Sequence, residues 1–122
     1  MTPQIVEPWP TELRVRKDAR LLEIAFDTGE QFILPAELLR VESPSAEVQG
    51  HGSGQKKIVA GKRMIGIKAA EPVGHYAVRL IFDDGHDTGL FTWAYLHRLG
   101  REQARIWGDY LTALERQGLS RG

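Results

Sequence analysis

Cysteine is absent from the 122 residues. That excludes disulfide bridges, thiolate-held iron–sulfur clusters and zinc–thiolate sites at once. Neither sign of charge dominates, since 16 Lys and Arg face 16 Asp and Glu. Without a net field, or a basic stripe interleaved with aromatics, neither nucleic acid nor an acidic membrane is the expected partner. No apolar run approaches the ~20 residues that a membrane-spanning helix needs. The first residues lack the basic-then-apolar plan of a secretory leader, so a soluble cytoplasmic protein is expected. At this length, residues 1–122 make one domain with one modest core.

What is present concentrates in Glu71–Leu99. Tyr76, Val78, Leu80 and Phe82 alternate with Ala77, Arg79 and Ile81, the period of a strand with one face buried. Asp83-Asp84-Gly85 supplies a hairpin turn, because glycine accepts a positive φ without strain. Thr88–Thr92 reads as the returning strand, and Thr92 as the N-cap of a helix opening Trp93-Ala94-Tyr95-Leu96. Gly100 sits where a terminating glycine would end that helix. His86, at the hairpin tip, is expected to face solvent or a ligand.

Before this stretch, Met1–Pro10 is proline-rich and extended, and Glu12–Arg16 is a short strand. Leu22, Ile24 and Phe26 lead into the turn Asp27-Thr28-Gly29, with Phe32–Leu34 returning, so the chain opens on a meander. Pro35–Arg40 reads as a short helix with Pro35 at or next to its first position. Glu42–Lys57 is rich in Ser, Gly and charge and reads as a mobile surface loop or a site loop. Met64, Ile65 and Ile67 resume strand character, and Pro72-Val73-Gly74 separates that strand from the next. In Arg101–Gln117, Ala104, Trp107, Leu111 and Leu114 form a helical stripe with Tyr110 beside it, and Gly118 stops the helix. Residues 101–122 are thus a C-terminal helical extension. No internal repeat is visible. The expected fold is α+β: an antiparallel, meander-rich sheet, a short helix after the third strand, and a C-terminal helix packed on the sheet.

Asp84-Gly85-His86-Asp87-Thr88-Gly89-Leu90-Phe91, followed by Trp93 and Leu96, resembles the hallmark of the DUF971 or gamma-butyrobetaine hydroxylase-like N-terminal domain family. Leu39-Arg40 and Ser43-Pro44-Ser45-Ala46 resemble its upstream element, and the likeness covers roughly Pro8 to Gly100. The resemblance implies a domain that, in carnitine-synthesis dioxygenases, precedes an iron/2-oxoglutarate catalytic domain. There it holds structural zinc through three cysteines and the turn histidine. On this chain those positions fall on Ser43, Ser45, Val48 and His86, so three of four ligands are replaced. A hydroxyl is a poor zinc ligand and an alkyl group none, which makes the positions vestigial and a metal cofactor unexpected. The catalytic domain is expected to be absent as well. Ser43–Val48 and Gly50-His51-Gly52 resemble a bacterial stand-alone branch, and related domains occur fused to P-loop iron–sulfur carrier ATPases.

Two uses of the turn stay open. His86 either serves as scaffold, bonded to the 43–52 loop, or binds zinc or iron together with His51 and the carboxylates of Asp84 and Asp87, as a metal-binding protein or metal-dependent enzyme. Gly50-x-Gly52-x-Gly54 before Gln55-Lys56-Lys57 lacks the spacing of a phosphate cradle. Ser43 and Ser45 lack a nucleophile elbow. Trp93, Tyr95 and Trp107 are either core or a partner patch. The expected function is a non-catalytic docking or adaptor module with a protein partner, linked to iron–sulfur or oxygenase proteins. A homo-oligomer joined through an exposed helix stripe is the further possibility.

Overall fold

The computed structural model describes residues 7–50 and 56–122. Strands β1 (Pro10–Arg16), β2 (Leu21–Phe26) and β3 (Gln31–Pro35) lead into helix α1 (Ala36–Val41) and the single turn α2 (Ala46–Gln49). Strands β4 (Ile67–Val73), β5 (Ala77–Phe82) and β6 (Leu90–Thr92) lead into α3 (Trp93–Arg101) and α4 (Gln103–Arg116). The class is α+β, with the strands divided between two antiparallel three-stranded sheets, β1-β2-β3 and β4-β5-β6. Among the described residues no helix is long and apolar enough to cross a membrane.

The two sheets are copies of one plan, contrary to the expectation of no repeat. In each, the turn is Phe-Asp-x-Gly, with Phe26–Gly29 in the first unit and Phe82–Gly85 in the second. The glycines take φ +88 and +90, where a Cβ would be strained. In the first unit Phe26 N–H donates to Glu30 O at 2.9 Å; in the second Phe82 N–H donates to His86 O at 3.0 Å. Leu22 pairs with Leu34 as Val78 pairs with Phe91, each four residues before its turn phenylalanine. The first helical residue then bonds back identically, Ala36 N–H to Arg20 O and Trp93 N–H to Tyr76 O. The repetition is hidden because the second unit is one residue longer between glycine and returning strand. Few side chains besides Phe, Asp and Gly coincide.

Each unit's turn grips the other unit's helix. Glu30 meets His97 at 2.7 Å and Arg101 at 3.4 Å on α3. Asp84 meets Arg40 of α1 at 2.8 Å. Between the units lies one core, with Leu22, Phe26, Leu39, Phe82, Phe91 and Leu96 all at most 3% exposed. A second cluster joins Val41 and Val48 to Val59 and to Tyr110 and Leu114 of α4.

Local boundaries differ from the expectations for identifiable reasons. Tyr76 is 55% exposed and precedes β5, because the reversal falls at Gly74 (φ +56) rather than at Pro72. Pro72 and Val73 belong to β4, whose ladder runs to Val73 opposite Ala77. Met64 is exposed and Ile65 buried, both ahead of β4. Gly100 does not end α3; it lies inside the helix, where an added Cβ would meet the Phe32 ring at 2.3 Å. The buried stripe of α4 is Ile106, Tyr110 and Leu114, while Ala104 and Leu111 are exposed. The buried face lies about one residue, or about 100°, round from Leu111, and this stripe is covered by its own chain. Thr92 caps α3 as expected, its hydroxyl accepting Tyr95 N–H at 3.1 Å. Gly118 (φ +65) stops α4, with Leu119 N–H bonded to Leu114 O and Gly118 N–H to Glu115 O.

Beyond α4 the chain returns to the core. Gly61 N–H bonds Ser120 O and Arg63 N–H bonds Arg121 O, each at 2.9 Å. Arg121 then forks onto Glu37 at 2.8 and 2.6 Å and lies 5.1 Å over the Trp107 ring.

Candidate functional site

The second turn differs from the first in what its fifth residue does. The turn fixes the His86 backbone at both ends: Phe82 N–H donates to His86 O at 3.0 Å, and Asp84 Oδ1 accepts the His86 N–H at 3.0 Å. The imidazole is thereby turned inward against Phe82, with a side chain only 3% exposed. This corrects the solvent-facing placement expected for a hairpin tip: the longer loop from His86 to Gly89 folds under Ser43–Gln49 instead of projecting.

Nε2 of His86 lies 2.9 Å from Ser43 Oγ and 3.3 Å from Ser45 Oγ. Nδ1 lies 3.2 Å from a Glu47 carboxylate oxygen, which favours the ring proton on that nitrogen and leaves Nε2 to accept from Ser43. Ser43 is held in turn by Gln49, whose amide donates to Ser43 O at 2.9 Å. Thr88 Oγ1 donates to Glu47 at 3.1 Å. The stretch expected to be a mobile surface or site loop is, in residues 42–49, a hydrogen-bonded segment that buries Glu42, Ser43, Ser45 and Val48 and exposes Ala46 and Glu47. Gly89 permits the approach, since a Cβ there would sit 2.4 Å from Ser43 Oγ.

Ser43, Ser45 and His86 are therefore brought together. Val48 is not: its side chain joins Val41, Val59 and Tyr110 in the second core. Asp84 faces Arg40 and Lys62, at 2.8 and 2.6 Å, rather than the imidazole. Asp87 pairs with Arg79 at 3.2 Å. His51 and most of the Gly50–Gln55 phosphate-cradle candidate lie outside the described residues. Trp93 donates to His75 O at 2.8 Å and packs edge-on to Trp9, whereas Trp107 carries Arg121, so the aromatics do not form one patch. Arg40 belongs to the upstream motif, whereas Glu47, Gln49 and Lys62 have no motif signal beyond the charge of Glu47 beside the serines.

Burial pulls the His86 pKa down and the Arg40 cation pulls it further, against the opposing carboxylates of Glu47 and Asp84. Burial alone would raise Asp84, but Lys62, the His86 N–H and Arg40 outweigh it and hold that carboxyl at about 2. The unfolded chain protonates its histidines near pH ~6.5, whereas the native fold resists a proton at His86. Stability should fall as the pH drops below that value, because the unfolded state then binds more protons. Urea unfolding from pH 7.5 to 5.5 should show this slope, and His86→Asn should reduce it; an unchanged slope in the variant would contradict the assignment.

Ser43, His86 and Glu47 follow the order of a nucleophile–base–carboxylate relay. Ser43 is 0% exposed, however, and the main cleft is lined by Glu42 and Pro44 but by neither Ser43 nor His86. The relay cannot be reached from that cleft. Nor do the residues fit zinc: the hydroxyls and both ring nitrogens satisfy one another, and Val48 offers no donor. Among the described residues no three His, Cys, Asp or Glu side chains are placed to hold a metal ion.

The family model for the gamma-butyrobetaine hydroxylase-like N-terminal domain matches residues 13–97. An NMR solution structure of a protein 50% identical superposes with a TM-score of 0.82, covering 99% of this chain and 90% of that one. A second NMR structure, 44% identical, gives 0.83 over 95% and 91%. A crystal structure of a protein of unknown function from Acidithiobacillus ferrooxidans, belonging to the DUF971 family, is 43% identical with a TM-score of 0.63 over 75% and 91%. No curated protein matches.

Proposed function

Since this chain belongs to the gamma-butyrobetaine hydroxylase-like N-terminal (DUF971) family, we propose that it is a metal-independent docking domain in which the family's turn histidine serves the fold. The observation that carries this reading is the exhausted hydrogen-bonding capacity of His86. Nε2 meets Ser43 and Ser45, and Nδ1 meets Glu47, in a side chain closed to solvent. A histidine that binds a metal or exchanges protons with a ligand must be reachable by it, and here the side chain is 3% exposed and Ser43 fully covered. Here the imidazole instead does mechanically what the resemblance assigns to zinc in related domains: it pins the Ser43–Gln49 segment onto the second hairpin.

Among the described residues no metal-holding carboxylate–histidine cluster and no exposed relay offers a reaction, and binding is the activity assigned to the domain in this reading. By family resemblance the partner is a protein of iron–sulfur or oxygenase chemistry. A ligand bound only by the native state raises the melting temperature, and its removal lowers it. Melting the untagged protein with EDTA, and separately with several equivalents of zinc, should leave the transition within ~1 °C of the untreated sample. A fall with chelator or a rise with zinc would overturn the metal-independent reading.

A further inference from the structure

A cleft of about 510 Å³ opens between α3, α4 and the segment Lys56–Ile58. Its floor is apolar, made by Val41, Ile58, Leu99, Ile106 and the Tyr110 ring. Tyr95 and Tyr110 both donate their hydroxyls to main-chain carbonyls, of Glu42 and Val59, so they offer the cleft ring surface rather than free polar groups. The third wall is anchored, because Lys57 N–H donates to Val48 O at 2.6 Å. The volume is in the range that takes an inserted side chain or small ligand.

The rim is charged with one excess sign. Lys56, Lys57, Arg98 and Arg105 stand against Glu42, Asp109 and the adjoining Glu102, with Lys56 tied to Glu42 at 2.6 Å, which leaves one cation in excess in a chain whose net charge is +0. Arg98 meets Glu102 at 3.3 Å with side chains 58% and 41% exposed, and Arg105 pairs closely with the same Glu102 and meets Asp109 at 3.2 Å with side chains 56% and 71% exposed. Such pairs are worth little and exchange readily for an incoming carboxylate. Lys57 is exposed on the same rim.

We infer that this cleft docks an acidic segment of a protein partner that seats one large apolar residue on the Ile58–Leu99–Ile106 floor. The apolar anchor supplies the affinity and the cationic rim selects the charge of the partner. This inference rests on the docking reading above and gives that reading a surface on the α3–α4 side, whose wall includes Glu42, Pro44 and Gln49 beside the buried Ser43.

The test uses the full chain, isotope-labelled, titrated with a blocked octapeptide in which glutamates flank a Leu-Phe pair. Two control peptides replace the glutamates by lysines or the Leu-Phe pair by alanines. Saturable amide shifts should appear at Lys57, Arg98, Ile106 and Asp109 with the first peptide, and each control should bind about tenfold more weakly. The charge-reversed variant Lys57→Glu/Arg98→Glu should lose that preference and favour the lysine peptide. No saturable shifts, shifts scattered over the surface, equal binding of the alanine peptide, or an unaltered preference in the variant would each overturn the inference. Stoichiometric metal would instead strike the metal-independent reading and leave the cleft result standing, so the two failures are separable.

Discussion

Replacing Arg121 by methionine should lower the melting temperature by about 12 °C, corresponding to about 3 kcal/mol. The guanidinium forks onto Glu37, whose side chain is only 6% exposed, and its plane covers Trp107. Without Arg121 the carboxylate stays buried with no counter-ion, which is the expensive way to break such a pair. Arg121 is itself 33% exposed, so the lower end of the usual range applies. Thermal unfolding of Arg121→Met, Glu37→Met and the double variant separates pairing from packing. The double variant should be more stable than Arg121→Met, because an apolar pair needs no counter-charge. If Arg121→Met melts within a few degrees of the wild type, the C-terminal return is not a structural tie.

Gly100→Ala should destabilise by about 2–3 kcal/mol, although helix propensity alone favours alanine by about 1 kcal/mol. The added methyl would stand 2.3, 2.5 and 2.7 Å from three atoms of the Phe32 ring. That ring is set edge-on to Phe26 at 6.0 Å and to His97 at 5.8 Å, so its withdrawal toward either is blocked. The displacement would also disturb the Glu30–His97 contact by which the first turn grips α3. Denaturant melts of Gly100→Ala alone and in a Phe32→Leu background should show the penalty shrinking when the ring is removed. A rise in stability for the single variant would mean that propensity governs this position and that the close approach is relieved.

Legibility from sequence followed range. The Thr92 cap, the Gly29 and Gly85 turns and the Gly118 stop are set by neighbouring backbone geometry, and each was readable from a few residues. Gly100 was misread for the same reason in reverse. Its role comes from Phe32, far away in sequence, and a glycine needed for contact looks like a glycine needed for φ. In α4 two apolar stripes, through Trp107 and Leu111 and through Ile106 and Tyr110, lie about 100° apart, and only packing against Val41, Val48 and Val59 decides which is buried. His86 was placed at a hairpin tip from local chemistry. Its burial depends on Ser43 and Ser45 arriving from the other unit, which only the family resemblance hinted at. The duplicated plan escaped notice because hydrogen-bond register, unlike residue identity, is not written in single letters.

The proposed metal independence of this domain is tested most directly by the metal content of protein purified without an affinity tag, by inductively coupled plasma mass spectrometry. Less than about a tenth of an equivalent of zinc or iron per chain is expected, because a hydroxyl is a poor zinc ligand and an alkyl group none. One equivalent that survives dialysis and disappears in His86→Ala would contradict it.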